Sequence, residues 1–179
     1  MGQGLLLIDI QNDYFPGGTM ELVGIDNASR NAGKVLGKFR DRGAPIFHVQ
    51  HLSVRPGATF FVPGTQGCEI NDMVKPLDGE IVIQKNFPNA FRDTDLENMI
   101  REKDVEELVI CGAMSHMCID ASTRAAFDLG FTCKVVEDAC ATRDLEFGGN
   151  DVSAEHVHRA FMAALNGIYA TVSNTAESV

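Results

Sequence analysis

A chain of 179 residues has room for one domain with a substantial core. Hydrophobic residues make up 45% and charged residues 22%, which excludes a disordered polyelectrolyte. The net charge of −10, from 25 acids against 15 bases, gives a surface that repels nucleic-acid phosphates and anionic membranes. It leaves room for an anionic substrate in a pocket of opposite local potential.

The first segment, MGQGLLLIDIQNDYF, has no basic leader, and its apolar run stops at Asp9. It reads as a first strand, Leu5–Ile10, rather than a signal peptide or a myristoylation site at Gly2. Ala28, Ala32, Val35, Leu36 and Phe39 share one helical face, which Gly43 closes. Pro45–His51 reads as a second strand. Ser53–Lys75 is a long irregular stretch with Pro56, Gly57, Pro63, Gly64 and Gly67, either a binding loop or a surface excursion. Glu80–Gln84 reads as a third strand. Leu96, Met99 and Ile100 mark a second helix, with Thr94 and Glu97 spaced as a capping box. Leu108–Gly112 reads as a fourth strand. Ile119, Ser122, Ala126 and Leu129 line a third helix that ends at Gly130. Phe131–Val136 reads as a fifth strand, and Asp144–Asp151, with Gly148 and Gly149, as a flexible loop. Val157, Ala160, Phe161, Ala164 and Leu165 mark a fourth helix ending at Gly167, before a sixth strand at Ile168–Val172.

Most of the strand runs are continuous rather than alternating, as in strands covered on both faces. Strands alternating with helices predict an α/β fold: a mainly parallel sheet with helices on both sides, in a single domain over residues 1–179. No apolar run reaches the length of a membrane span. The five cysteines are an odd count in a chain too large to need disulfides, so reduced thiols in a cytoplasmic protein are the simplest reading.

In an open parallel sheet, ligands bind beyond the carboxyl ends of the strands. Strand one delivers Asp9 there and strand three delivers Lys85. The loop CGAMSHMC after strand four ends at Cys118, where a helix starts. Singly, these residues have ordinary explanations: a turn cap, a solvated lysine, a small core residue. Together they describe one mechanism. A helix start and a nearby ammonium stabilise a thiolate, so Cys118 is expected to have a depressed pKa and to be alkylated ahead of Cys68, Cys111, Cys133 and Cys140. A carboxylate can take the thiol proton and return it to a leaving nitrogen, the role suited to Asp9. Cys111 and Cys133 fall in strands and Cys68 and Cys140 in loops. His156 and His158, on the last helix, are expected to be solvated or packed.

The segments LLLIDIQNDYF, VIQKNFPNAF and VICGAMSHMCIDASTRAAF resemble those of the isochorismatase-like cysteine hydrolases, among them nicotinamidases and carbamoylsarcosine amidases. PGTQGCEI and FRDTDLE match in order and spacing, so the resemblance covers nearly the whole chain. It implies a Rossmann-like three-layer α/β/α fold with a six-stranded sheet in the order 3-2-1-4-5-6. It also implies a catalytic triad of Asp9, Lys85 and Cys118, and a cis peptide at Ala113–Met114. The backbone N–H groups of Met114 and Cys118 would form an oxyanion hole. Tyr14 falls where the family places a pocket aromatic, and His116, in the nucleophile loop, is assigned to the substrate pocket or to capping that turn. Family members are commonly dimers or larger, so a homo-oligomer is expected.

One departure bears on chemistry. Nicotinamidases carry an Asp-x-His pair and further histidines that bind a metal. The matching stretch IFHVQHLSVRPGATFF has His48 and His51 but neither the aspartate nor the later histidines. Residues three apart in a strand face opposite sides, so this pair is a poor chelate. The expectation is therefore no metal, no cofactor and no nicotinamidase activity. Cys118 favours hydrolysis of an amide-like C–N bond in a small molecule. The alternatives are a vinyl ether hydrolase working without a covalent intermediate, and a non-catalytic domain that binds a small molecule or a partner. GxGxxG after strand one, a P-loop and a C-x-x-C pair are all missing from the sequence.

Overall fold

The structure is a computed structural model, and it describes residues 2–175. The elements run β1 (Gly2–Ile8), α1 (Ile25–Asp41), β2 (Ile46–His51), β3 (Ile81–Lys85), α2 (Leu96–Arg101), β4 (Val105–Ala113), α3 (Asp120–Asp128), β5 (Thr132–Ala141), β6 (Leu145–Phe147), β7 (Asn150–Val152), α4 (Ala154–Leu165) and β8 (Thr171–Ser173). The main sheet has six strands in the order β3-β2-β1-β4-β5-β8. Each neighbouring pair is parallel. With β8 as its sixth strand, this is the expected order 3-2-1-4-5-6.

The central strands explain why the sequence shows continuous apolar runs. Leu5, Leu6 and Ile8 of β1 and Leu108, Val109 and Ile110 of β4 are fully buried, so neither sheet face there is open to water. Helix α1 turns its expected face, Ala28, Ala32, Val35, Leu36 and Phe39, into this core and packs against β5, β1 and β4. Strand order reverses between β1 and β4, which makes their carboxyl ends the switch point at which such sheets bind ligands. Among the described residues no helix is long and apolar enough to cross a membrane, and all five cysteines are free thiols.

Several local expectations are corrected. Residues 144–151 form a hairpin, not a loop: β6 and β7 pair antiparallel around Gly148 and Gly149, both at positive φ, the geometry a two-residue turn demands. The capping box is not formed. Thr94 Oγ1 donates to the Ala90 carbonyl at 2.6 Å, and Glu97 pairs with Arg101 at 2.9 Å, leaving Asp95 at the N-cap. Cys140 lies within β5, because that strand continues past an irregularity in its pairing with β4 and brings Cys140 opposite Gly112. The final strand starts later than expected, with Ile168 left 72% exposed.

Strand β3 is tied to its neighbours by a polar knot at Glu80. Arg40 of α1 donates to Glu80 through Nε at 2.7 Å and Nη2 at 2.9 Å. His48 of β2 bonds its Oε2 at 2.9 Å, and the Leu77 N–H donates to the same oxygen. Burial raises the Glu80 carboxyl pKa, but these partners outweigh it and hold the group at about 2, against an ordinary 4.5. The stabilisation is therefore fully present above pH 4.5 and is lost as the pH falls toward 2. We expect chemical denaturation to show stability falling by about 2 kcal/mol through that window. In Glu80→Gln that part of the acid limb should be missing; an unchanged limb would show that the knot contributes nothing.

Candidate active site

The backbone places three side chains around one point at the switch. Asp9 follows β1 directly, at φ 52°, a left-handed conformation that a short polar residue tolerates. Its side chain is fully buried. Lys85, the last residue of β3, is 1% exposed. Cys118 lies in a single π-type turn, Ser115–Ile119, between β4 and α3, and the Ala113–Met114 peptide that leads into this turn is cis. Lys85 Nζ is 2.6 Å from Asp9 Oδ2 and 3.4 Å from Cys118 Sγ.

The third partner of the ammonium is His51, at the end of β2. Its Nδ1 lies 2.9 Å from Lys85 Nζ. An ammonium has three donors and no acceptor, so Asp9, His51 and Cys118 use all of them and Nδ1 must accept. The ring proton then resides on Nε2. His48 and His51 point to opposite sides, as their spacing requires: His48 reaches Glu80 and His51 reaches Lys85. A carboxylate oxygen of Asp9, a ring nitrogen of His51 and Cys118 Sγ lie within 4.8 Å of one another, a ligand set by type. Yet Lys85 Nζ is within hydrogen-bonding reach of all three residues. The donor set is thus arranged around a resident cation, the lysine itself, and does not fit a metal ion in this arrangement.

Protonation follows from burial and these neighbours. Burial pushes the Cys118 thiol well above an ordinary cysteine and the Asp9 charge adds to this, while Lys85 opposes and does not prevail. This overturns the expectation of a depressed thiol pKa: a helix start and one ammonium do not offset loss of water beside a carboxylate. Burial disfavours the Lys85 charge, but Asp9 and Cys118 hold its pKa above the usual lysine value. Burial, then Lys85, lowers His51 to about 4, so the imidazole is neutral at neutral pH. Burial also raises the thiols of Cys111, Cys133 and Cys140.

A cavity of about 280 Å³ opens onto Cys118. Tyr14, Phe60 and Phe87 supply aromatic walls, and Val54, Pro88, Met114 and Met117 supply aliphatic ones. His51, Arg55 and Asn86 add polar groups. Tyr14, the expected pocket aromatic, is placed in the cavity wall, and burial raises its phenol pKa. The irregular 53–75 segment proves to be wall as well, through Val54, Arg55 and Phe60, with Phe61 fully buried behind them. His116 is not among the lining residues. Its Nδ1 bonds Thr142 Oγ1 at 2.6 Å and its ring meets Phe161 edge-on, so it braces the turn. His158 bonds Ser115 Oγ at 2.8 Å, bracing the same turn from α4.

Sequence reasoning missed the supports of the wall. Gln11 is fully buried; its Nε2 donates to the carbonyls of His51 and Cys68, and its Oε1 accepts from the His51 N–H at 2.7 Å. Asp13 Oδ2 accepts from the Phe61 N–H at 2.6 Å. Gly67 packs so closely on Asp13 that a Cβ would lie 2.0 Å from its Oδ1. The polar cluster QND straight after an apolar strand was the available signal.

Topology and cavity position define a doubly wound α/β protein with its cavity at the switch point of the sheet. The family model for the Isochorismatase domain matches residues 3–177. The chain belongs to the isochorismatase family, and it is a hydrolase. It is 56% identical to the isochorismatase family protein YddQ of Bacillus subtilis, over 98% of this chain and 97% of that protein. It is 27% identical to the ureidoacrylate amidohydrolase RutB of Cronobacter turicensis, over 75% of this chain and 72% of that one. A crystal structure described as an isochorismatase hydrolase, from Oleispira antarctica, superposes with a TM-score of 0.95 at 49% identity, covering 98% of this chain and 95% of the other.

The charges around Cys118 set the sign of two substitutions. Thiolate absorbance should be measured against pH and corrected with Cys118→Ala. We expect no Cys118 thiolate at neutral pH in the resting protein. Asp9→Asn should lower the thiol pKa by removing a negative charge, and Lys85→Met should raise it by removing the positive one. Shifts of the opposite sign would show that burial and these charges do not control the sulfur.

Proposed function

We propose that this hydrolase is a cysteine amidase: it cleaves an amide-like C–N bond of a small molecule through a thioester on Cys118. The observation that carries the reading is the buried lysine at the cavity floor, bonded at once to a carboxylate and to the one thiol that faces the cavity. The relation to an amidohydrolase adds support for the bond type.

Asp9 Oδ2 is held by Lys85, while Oδ1 is buried with no partner among the described residues. That oxygen is a lone pair in reserve, and it is the natural acceptor for the thiol proton. As Cys118 Sγ attacks the substrate carbonyl, its proton passes to Asp9, and sulfur never stands free as a thiolate in a dry site. The carbonyl electrons move to oxygen, and the N–H groups of Met114 and Cys118 hold the oxyanion. Asp9 then gives its proton to the nitrogen, the C–N bond breaks, and the amine or ammonia leaves. Water attacks the thioester carbonyl, giving its proton to Asp9. Collapse expels sulfur, Asp9 reprotonates it, and the acid product departs. Lys85 keeps its proton throughout and balances whichever of Asp9 and Cys118 carries the negative charge.

The five free thiols fit a reducing, cytoplasmic setting. The resemblance carries a homo-oligomer into this reading, and velocity sedimentation that finds only monomer at micromolar concentration would remove it.

The main test is an acyl-enzyme trap. Acid quenching during turnover of an activated small amide should leave the acyl mass on the peptide containing Cys118. Cys118→Ala and Asp9→Asn should each lose at least about 10³-fold in kcat/KM. Amide turnover without an adduct, undiminished in Cys118→Ala, would remove the thioester; failure on amides with a vinyl ether cleaved undiminished by Cys118→Ala would instead support vinyl ether hydrolysis by a protonated Asp9.

A further inference from the structure

The cavity carries a charge that neither the proposed triad nor the fold explains. Arg55 lines it, and among the described residues its guanidinium has no ion pair and no hydrogen bond. Arg55 is an exposed residue, so its guanidinium is open to solvent as well as to the cavity. Among the described residues, none that lines the cavity is an Asp or a Glu. Arg143 adds a second positive charge close enough to Tyr14 to act on its phenol. The floor contributes nothing net negative, because Asp9 is matched by Lys85.

Beside Arg55 stands His51, near enough for the arginine charge to act on its ring. With Nδ1 engaged by Lys85, the ring presents Nε2–H as its remaining polar atom, and His51 lines the cavity. Two unopposed donors thus share one wall, a fork and a neutral N–H. The lining also includes the apolar side chains of Phe60, Phe87 and Met117.

We infer that Arg55 and the His51 Nε2–H form a carboxylate subsite, and that the substrate is a small monoamide acid, with its carboxylate there and its amide over Cys118. A carboxylate accepts from a guanidinium and a ring N–H together, which matches the inventory of the wall. The cavity's volume, about 280 Å³, suits a molecule of this size. The overall −10 charge, which would repel such an anion at long range, is opposed locally by Arg55, the only charged lining residue among the described residues. The inference rests on the amidase reading for the placement of the amide. The carboxylate contact itself requires no turnover.

The experiment is therefore binding, in the unreactive Cys118→Ala protein. Malonamate, succinamate and terephthalamate are titrated by calorimetry against their methyl esters, at low and high salt. We expect at least one acid to bind about tenfold or more tightly than its ester, with the advantage shrinking as salt rises. Adding Arg55→Met should bring the acid-to-ester ratio close to one, and Arg55→Lys should restore part of it. No acid binding, equal binding of acid and ester, or equal weakening of both by Arg55→Met would overturn the subsite. A subsite that binds acids while the acyl-enzyme trap fails would leave the carboxylate contact standing and remove the amidase reading alone.

Discussion

Everything at the switch point turns on one desolvated ammonium. Lys85 is 1% exposed and spends its three protons on Asp9, His51 and Cys118. A buried ammonium without partners would cost several kcal/mol, and removing one member of such a set leaves an unmatched charge at a similar cost. The four side chains therefore have to arrive together, and the sheet is what brings them. Asp9, His51 and Lys85 sit at the ends of β1, β2 and β3, which are adjacent and parallel. Cys118 arrives on the turn after β4, the other neighbour of β1. No two of these residues are close in sequence, and it is the strand order that brings them together in space.

The same ammonium sets the chemistry of its neighbours. It fixes the His51 tautomer by occupying Nδ1, and with burial it keeps that ring neutral. It stabilises a thiolate only in part, because burial and Asp9 oppose it more strongly. Around this floor, Gln11 and Asp13 tie the wall to the sheet. Gln11 grips the backbone at both His51 and Cys68, and Asp13 takes the Phe61 N–H. The wall is thus anchored by groups that leave β1 within five residues of Asp9, so strand, floor and wall are registered from one short stretch of chain.

That stretch also shows how far the sequence could be read. The fold was legible because strands buried on both faces must be continuously apolar, and helices between them must show one apolar face; both patterns are one-dimensional. Asp9, Lys85 and Cys118 were legible because each ends or follows such a run. The role of His51 was not: its spacing from His48 argued against a chelate, but its partner is 34 positions away and meets it only through sheet pairing. The thiol pKa was misjudged because sequence reveals charge types and a helix start, while the deciding quantity, access to water, belongs to the assembled site. The hairpin at residues 145–152 was missed although its Gly-Gly signal was present, because each strand is only three residues long. Thr94 and Glu97 had capping-box spacing, yet other partners, Ala90 and Arg101, claimed both side chains.

A protonated resting thiol is a coherent design rather than a defect. A free thiolate that meets oxidants and electrophiles reacts indiscriminately, and its reactivity tracks the thiolate fraction. Here the sulfur and a carboxylate oxygen lie within 4.8 Å of one another, with Lys85 in contact with both. The pair is neutral overall with the ammonium whichever side holds the proton, so moving it changes little in long-range electrostatics. In the proposed mechanism, nucleophilicity would appear only when a carbonyl stands ready to accept the sulfur's electrons, because only then would proton transfer to Asp9 lead downhill. In that mechanism, the raised thiol pKa would couple proton transfer to bond formation and make occupation of the cavity the trigger for reaction.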